Sequence, residues 1–276
     1  MFETFVSFLI PALVVAAIFV VLLLFVAPRE LRTICFRELR SYFFSPIAYV
    51  CVVIFLIISN VITFWFGGAL ERGEAELYGS YFQYIPWYLI VIAPAVGMRL
   101  WSEEHRLGTI ELLLTMPIAP WHAILGKFLA ASVVIFAMLV LSFPVVITMN
   151  YLGDPDNGVI LAGFTACLLT GLCFLAVTSV ISAVTRSQVV ALLVSIVLCL
   201  ALWLGGLNPL VELLDTMRGP GLIFWPAVKL LSSISVMPHF NELAKGVLGF
   251  RDIVFFASFI AFCLFTTAMV IRLKRA

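Results

Sequence analysis

Arg99-Leu-Trp-Ser-Glu-Glu-His-Arg-Leu-Gly-Thr-Ile-Glu-Leu-Leu-Leu-Thr-Met-Pro-Ile118 is the stretch on which the reading of this chain turns. Five of its first thirteen residues are charged (Arg99, Glu103, Glu104, Arg106 and Glu111), in a chain of 276 residues that is only 11% charged. Apolar runs flank it, 84–98 before and 128–149 after. A segment this polar does not enter hydrocarbon, where a charged side chain is costly. It therefore marks a water-facing connection between two membrane helices. Gly108 should break the first helix. Thr109 can cap the next, its side-chain oxygen accepting an orphan backbone N–H, and Glu111 in that first turn complements the helix dipole. Pro117 and Pro120 end the short piece. The expected pattern is helix, break, short helix, break. Glu103, Glu104 and Arg106 should face water or a partner, and Leu112, Leu113 and Leu114 the membrane core or a partner's groove.

Working outward, the chain is 64% hydrophobic with a mean hydropathy of +1.19, which excludes a soluble globular domain. Long apolar runs occupy 5–27, 46–67, 84–98, 128–149, 159–184, 189–207 and 253–271. Most of them are about 19 to 26 residues long, enough to cross roughly 30 Å of hydrocarbon. The reading is an all-α polytopic membrane protein. The third run is short and carries Pro86 and Pro94, and Pro144 lies in the fourth, so kinks are expected at these three prolines. Irregular backbone at membrane depth needs protein or a cavity beside it.

Basic residues set the orientation. Segments 28–45, 99–127, 185–188 and 272–276 hold 11 of the 16 Lys and Arg. The remaining five (Arg72, Arg218, Lys229, Lys245 and Arg251) are spread over longer connections on the other side. The positive-inside rule then makes the first set cytoplasmic. Seven spans put the C-terminus inside and the N-terminus outside, in a cytoplasmic (inner) membrane. Residues 1–27 lack a basic leader and an A-x-A-like cleavage site, which favours a retained helix over a signal peptide. A net charge of +1 offers nothing to nucleic acid.

Residues 29–44 read as an amphipathic helix. Leu31, Ile34, Cys35, Leu39, Tyr42 and Phe43 recur at three- and four-residue steps, while Arg29, Arg32, Arg37 and Arg40 take other faces. Such a helix lies in the membrane interface with its arginines at the head groups. On the other side, 70–83 is acidic and aromatic, 152–158 is a turn by composition, and 208–252 holds short amphipathic pieces, 210–217 and 240–248, expected to pack over the outer mouth.

Motifs for chemistry are missing. Gly126-Lys127 is followed by Phe128, and Trp121 stands where a phosphate-binding loop needs its first glycine. The three histidines (His105, His122 and His239) are far apart and lack metal-like spacing. The six cysteines fall in or beside apolar runs and read as small buried hydrophobes rather than disulfides. No Asp or Glu lies in the middle of a run, where an ion-coupled transporter usually needs one. No bound cofactor is expected on this chain.

The central stretch resembles a pattern found in permease subunits of ABC-2 type exporters, R-x-x-x-E-E-x-R-x-G-T-x-E-x-L-L-x-x-P-[IV] followed by G-K. It is carried here by Arg99, Glu103, Glu104, Arg106, Gly108, Thr109, Glu111, Leu113, Leu114, Pro117, Ile118, Gly126 and Lys127. Arg37-Glu-Leu-Arg-Ser-Tyr-Phe-Phe-Ser-Pro46 looks like the opening of the same family, and Pro238-His-Phe-Asn-Glu-Leu-Ala-Lys-Gly-Val-Leu-Gly-Phe-Arg-Asp252 like its last outer loop. Together they are most similar to the gliding-motility-associated branch. The resemblance implies a six-helix ABC-2 type (type V exporter-like) transmembrane domain over 28–276, with 1–27 as an extra N-terminal transmembrane helix. It implies an interfacial elbow helix at 29–44, including Arg32, Arg37, Glu38 and Arg40, and an outer segment at 208–252. The loop 99–120 would couple to a separate cytoplasmic ATP-binding cassette subunit through Arg99, Trp101, Glu103, Glu104, His105, Arg106, Gly108, Thr109 and Glu111. ATP and Mg²⁺ would sit on that subunit, and a second permease chain, identical or related, would complete the pathway in the lipid bilayer. Two other readings are an ion-gradient-driven secondary transporter and a membrane assembly factor that transports nothing.

Overall fold

The computed structural model describes residues 28–66, 77–109, 120–153, 155–207, 233–247 and 249–273. Among these the regular structure is helical. In chain order the helices are α1 (Arg29–Phe44), α2 (Pro46–Val61), α3 (Ile85–Gly97), α4 (Arg99–Leu107), α5 (Pro120–Leu141), α6 (Pro144–Leu152), α7 (Asn157–Val184), α8 (Gln188–Leu204), α9 (Met237–Ala244) and α10 (Phe250–Leu273). Single π-helical turns extend α2 at Ile62–Phe66 and precede α3 at Tyr78–Phe82.

Five helical stretches are long and apolar enough to cross a membrane: Pro46–Trp65, Ile85–Leu107, Pro120–Tyr151, Asn157–Val184 and Phe250–Leu273. Gln188–Leu204 is apolar but only 17 residues long, about 26 Å at 1.5 Å per residue. These six match the sequence-derived runs from 46–67 onward. The expected helix at 5–27 lies outside the described residues, as does 208–232.

α7 is the spine. It packs against α3, α4, α5, α8, α9 and α10, and its buried residues run from Ile160 to Ala183 around most of its circumference. A helix apolar on every side belongs in the middle of a bundle. Small residues let its neighbours approach closely, as membrane helix packing requires. A Cβ at Gly163 would fall 2.5 Å from the Phe82 ring. α2 and α10, in contrast, expose large apolar side chains such as Val53, Ile57, Phe262 and Phe265, as lipid-facing helices do.

α1 forms because Pro28 starts it and because Leu31, Ile34, Cys35 and Tyr42 fall on one face. That face packs on α5. The approach is tight at Gly126, where a Cβ would sit 2.9 Å from Ile34 Cγ2 and 3.2 Å from the Leu31 carbonyl oxygen. The helix is thus docked on the bundle as well as being amphipathic. Phe43, placed with the apolar stripe by its spacing, is exposed instead.

The prolines divide into two kinds. Pro94 lies inside α3, where it removes one ladder donor. Pro86 and Pro144 lie in the first turns of α3 and α6, a position where the absent N–H is not needed. The interruption expected at Pro144 falls just before it, at Ser142 and Phe143. There Ser142 Oγ donates to the Leu139 carbonyl (2.7 Å) and accepts from the Tyr81 hydroxyl (2.6 Å).

Replacing Gly126 by leucine should push α1 off α5. Overpacking of this kind costs about 1 to 3 kcal/mol, and should appear as a lower apparent Tm in detergent, whereas Gly79, where an added Cβ would meet open space, should accept alanine without loss.

A charged junction where the elbow helix meets the bundle

The charged stretch 99–107 continues α3 with only Met98 between them. The interruption between the apolar span and the polar segment is that one residue, inside a single helical rod. A side chain from α7 bridges it. Ser182 Oγ accepts from the backbone N–H groups of Trp101 and Ser102, both at 3.0 Å, and donates to the Met98 carbonyl at 2.9 Å. A hydroxyl inserted into a helix ladder is an established cause of a kink. The same hydroxyl serves orphan N–H groups in the first turn of α4 that no residue of its own helix caps. Gly108 ends α4 in the left-handed conformation (φ 71°), with its N–H on the Glu104 carbonyl.

Beside the bend, α1, α4 and α5 meet around one buried cation. Lys127 Nζ lies 2.9 Å from Glu104 Oε1 and 3.2 Å from Glu38 Oε1, with only 4% of its side chain exposed. The ammonium also sits 5.5 Å from the centroid of the buried Trp101 ring. Glu38 in turn accepts from Arg37 at 3.0 Å. A buried ammonium is tolerable only when its donors are used, and two carboxylates and an aromatic face use them.

Arg99 completes the junction. Its Nη1 donates to Ser45 Oγ at 2.7 Å, and its guanidinium lies 4.8 Å from the Tyr42 ring centroid. The Tyr42 hydroxyl donates to the Val96 carbonyl at 3.0 Å. Burial pushes the Tyr42 pKa upward, against the opposing pull of Arg99 and with help from Glu38, so the phenol keeps the proton it donates. His105 Nε2 is 3.0 Å from the Ala183 carbonyl. At the other edge His122 Nδ1 meets Glu30 Oε2 at 2.7 Å.

A cleft of about 140 Å³ opens at this junction, lined among others by Glu38, Tyr42, Arg99, Glu103, Glu104 and Lys127. Its lining mixes two cations with three carboxylates, and Glu104 Oε2 is buried with no hydrogen-bond partner. No group of three or more His, Cys, Asp or Glu placed to hold a metal exists among the described residues.

The predicted site residues thus divide. Arg99, Trp101, Glu104 and Glu38 come together in the junction, and His105 anchors α4 to the end of α7. Glu104, expected to face water or a partner, is turned inward because Lys127 leaves it no better place. Glu103 opens on the cleft, and Arg106 is exposed at the tip of α4. Arg37 and Arg40 are exposed on α1, the latter over the Phe44 ring at 5.4 Å; Arg32 is partly buried there. Thr109 is the last described residue before 110–119, so Glu111 lies outside the described residues. Sequence reasoning missed Ser182, Tyr42 and Ser45 as parts of the junction. It named Lys127 only as half of a Gly-Lys pair.

Among the described residues, a bundle of apolar helices with its charged side chains gathered toward the helix ends is a multi-pass membrane protein. The family described as ABC-2 family transporter protein matches residues 32–272. The chain belongs to that family and is the transmembrane component of an ABC transporter. No curated protein matches it.

Two outcomes are expected. Lys127→Met should leave the inward-turned Glu104 without its cation and Glu38 with Arg37 alone, and breaking a buried pair from one side typically costs about 3 to 5 kcal/mol, seen as loss of folded protein in thermal unfolding. Cys35, buried beside the junction, has its thiol pushed up to about 11 by burial and, secondarily, by Glu38. It should stay unlabelled by maleimide at pH 8 until the chain is denatured. The raised value favours the folded state below the thiol's ordinary pKa, and that contribution should disappear as pH rises through about 11.

Proposed function

We propose that this chain is one permease half of an ABC exporter, most similar to the gliding-motility-associated branch. It works in the cytoplasmic (inner) membrane with its C-terminus inside. Two such halves, identical or related, would line the pathway, and a separate ATP-binding cassette subunit would dock on the 99–120 loop and hold the ATP and Mg²⁺. The domain would run over 28–276, with 1–27 as an additional span.

The observation that carries this reading is the junction around Lys127. α4 is stiffly joined to four elements at once: to α3 through Met98, to α1 and α5 through Glu104 and Lys127, and to α7 through Ser182 and His105. A push on the 99–120 loop would therefore be felt by most of the bundle rather than absorbed by a slack connection. Coupling of this kind needs a contiguous set of packed and hydrogen-bonded groups, and the junction supplies one. The exposed tip, with Glu103 over the cleft and Arg106 and Leu107 in solvent, is the natural contact for the ATPase. The absence of carboxylates in mid-span favours this reading over a gradient-driven transporter.

The test separates the tip from the junction. Glu103→Arg with Arg106→Glu, leaving Glu104 in place, should give a chain that inserts and purifies normally but loses its co-purifying ATPase or the stimulation of that ATPase by at least tenfold, a loss of about 1.4 kcal/mol. Unchanged partner binding and unchanged ATPase in that variant would overturn the docking assignment.

A further inference from the structure

Among the described residues, the outward face of α1 is exposed and of mixed character. One hundred degrees per residue places Arg29, Thr33, Phe36, Arg40 and Phe44 in one stripe, opposite the packed Leu31, Ile34, Cys35 and Tyr42. All five stripe residues are exposed, Phe44 by 76% and Phe36 by 50%. The two carboxylates of α1 are occupied elsewhere. Glu30 meets His122 at 2.7 Å, and Glu38 is held by Lys127 and Arg37. Arg29 and Arg40 thus carry charge with no carboxylate of their own helix to balance it.

The stripe also continues the lipid-facing surface. Phe43 meets Tyr49 edge-to-face, centroids 6.4 Å apart, across the Ser45 corner where α1 turns into α2. From there the exposed Tyr49, Val50, Val53 and Ile57 run down α2. Arg40 therefore sits near the corner where that apolar surface ends, and Arg29 lies further along the same stripe.

The geometry points to a binding site for acidic phospholipid on this stripe. Phe36 and Phe44 enter the acyl boundary, and the Arg29 and Arg40 guanidiniums hold lipid phosphate at the level above. A guanidinium presents a donor fork that matches phosphate oxygens. Arg40 lies 5.4 Å over the Phe44 ring, which holds it against the aromatic rather than folded away. Charge complementarity selects an anionic leaflet over a zwitterionic one. The site stands independently of the ATPase reading and of which leaflet the elbow occupies.

The experiment is native mass spectrometry of the full-length chain in detergent, titrated with dioleoylphosphatidylglycerol or dioleoylphosphatidylcholine. The wild type should retain the phosphatidylglycerol in preference. Arg29→Gln with Arg40→Gln should reduce that preference about fivefold per arginine, the worth of one basic residue at an acidic surface. Arg29→Lys with Arg40→Lys should keep most of it, and Arg186→Gln, an exposed arginine off the stripe, should keep all of it. Equal retention of both lipids by the wild type would overturn the proposal. So would a preference unchanged in the double glutamine variant, whether or not that variant loses a co-purifying protein. Displacement of the lipid by millimolar inorganic phosphate would reassign the site to a free anion.

Discussion

The ammonium of Lys127 is the constraint around which the described end of this molecule is arranged. A lysine on an apolar helix must either reach water or find anions within the protein. Here it is held too deep to reach water, so Glu38 and Glu104 come to it. Bringing Glu38 in fixes α1 on α5. Bringing Glu104 in fixes α4 against both, and with α4 comes the orientation of the polar stretch that follows. Tyr42, Arg99 and Ser45 then fill the space these three helices leave. None of the pairs is large in energy alone, since exchange of water for protein partners returns only about 0.5 to 1.5 kcal/mol per hydrogen bond. Their value is positional: they allow one geometry and leave the alternatives with a bare charge.

The rest of the bundle follows the rules of helices in lipid. Without water to drive association, close approach of backbones and interhelical hydrogen bonds must do it. α7 meets that need with Gly163 and Gly171 on its packed faces and with Ser182, whose hydroxyl bonds across to the neighbouring helix, while Thr165 and Thr178 bond back to their own helix, Thr178 Oγ1 to the Phe174 carbonyl at 2.7 Å. At the end away from α1, α9 closes over α7 and α10. It is pinned by His239 Nδ1 against Asp252 Oδ1 at 2.6 Å, with the imidazole stacked on Phe255 at 3.9 Å. A transporter component built this way has stiff ends and an apolar middle.

How much of this could be read in the chain depends on the range of the physics involved. The spans were legible because hydrocarbon thickness fixes their length, although α5 begins at Pro120, eight residues before its apolar run, and the third helical stretch continues past its run to Leu107. The buried face of α1 was legible at Leu31, Ile34, Cys35 and Tyr42 because a packed helix repeats every three or four residues. The polar character of 99–107 was plain, and Gly108 marked its end. The direction in which Glu104 faces was not, because its partner lies on another helix and nothing local points to Lys127. The proline at 86 read as a kink because it lies inside the apolar run 84–98, and only the backbone shows that it falls in the first turn of the helix. Ser182 was illegible for a simpler reason. A single serine near the end of an apolar helix is unremarkable until the neighbouring helix is seen to bend around it.

That serine gives the bend a particular economy. Its oxygen receives the Trp101 N–H, yet a straight helix would offer the same N–H the Gly97 carbonyl. Its own proton rests on the Met98 carbonyl, while within α7 the carbonyl one turn back, at Thr178, stands as a ready substitute. Either partner would satisfy each donor, and the structure takes the one that crosses between helices. The joint between α3 and α4 thereby ties three helices together at a single oxygen atom.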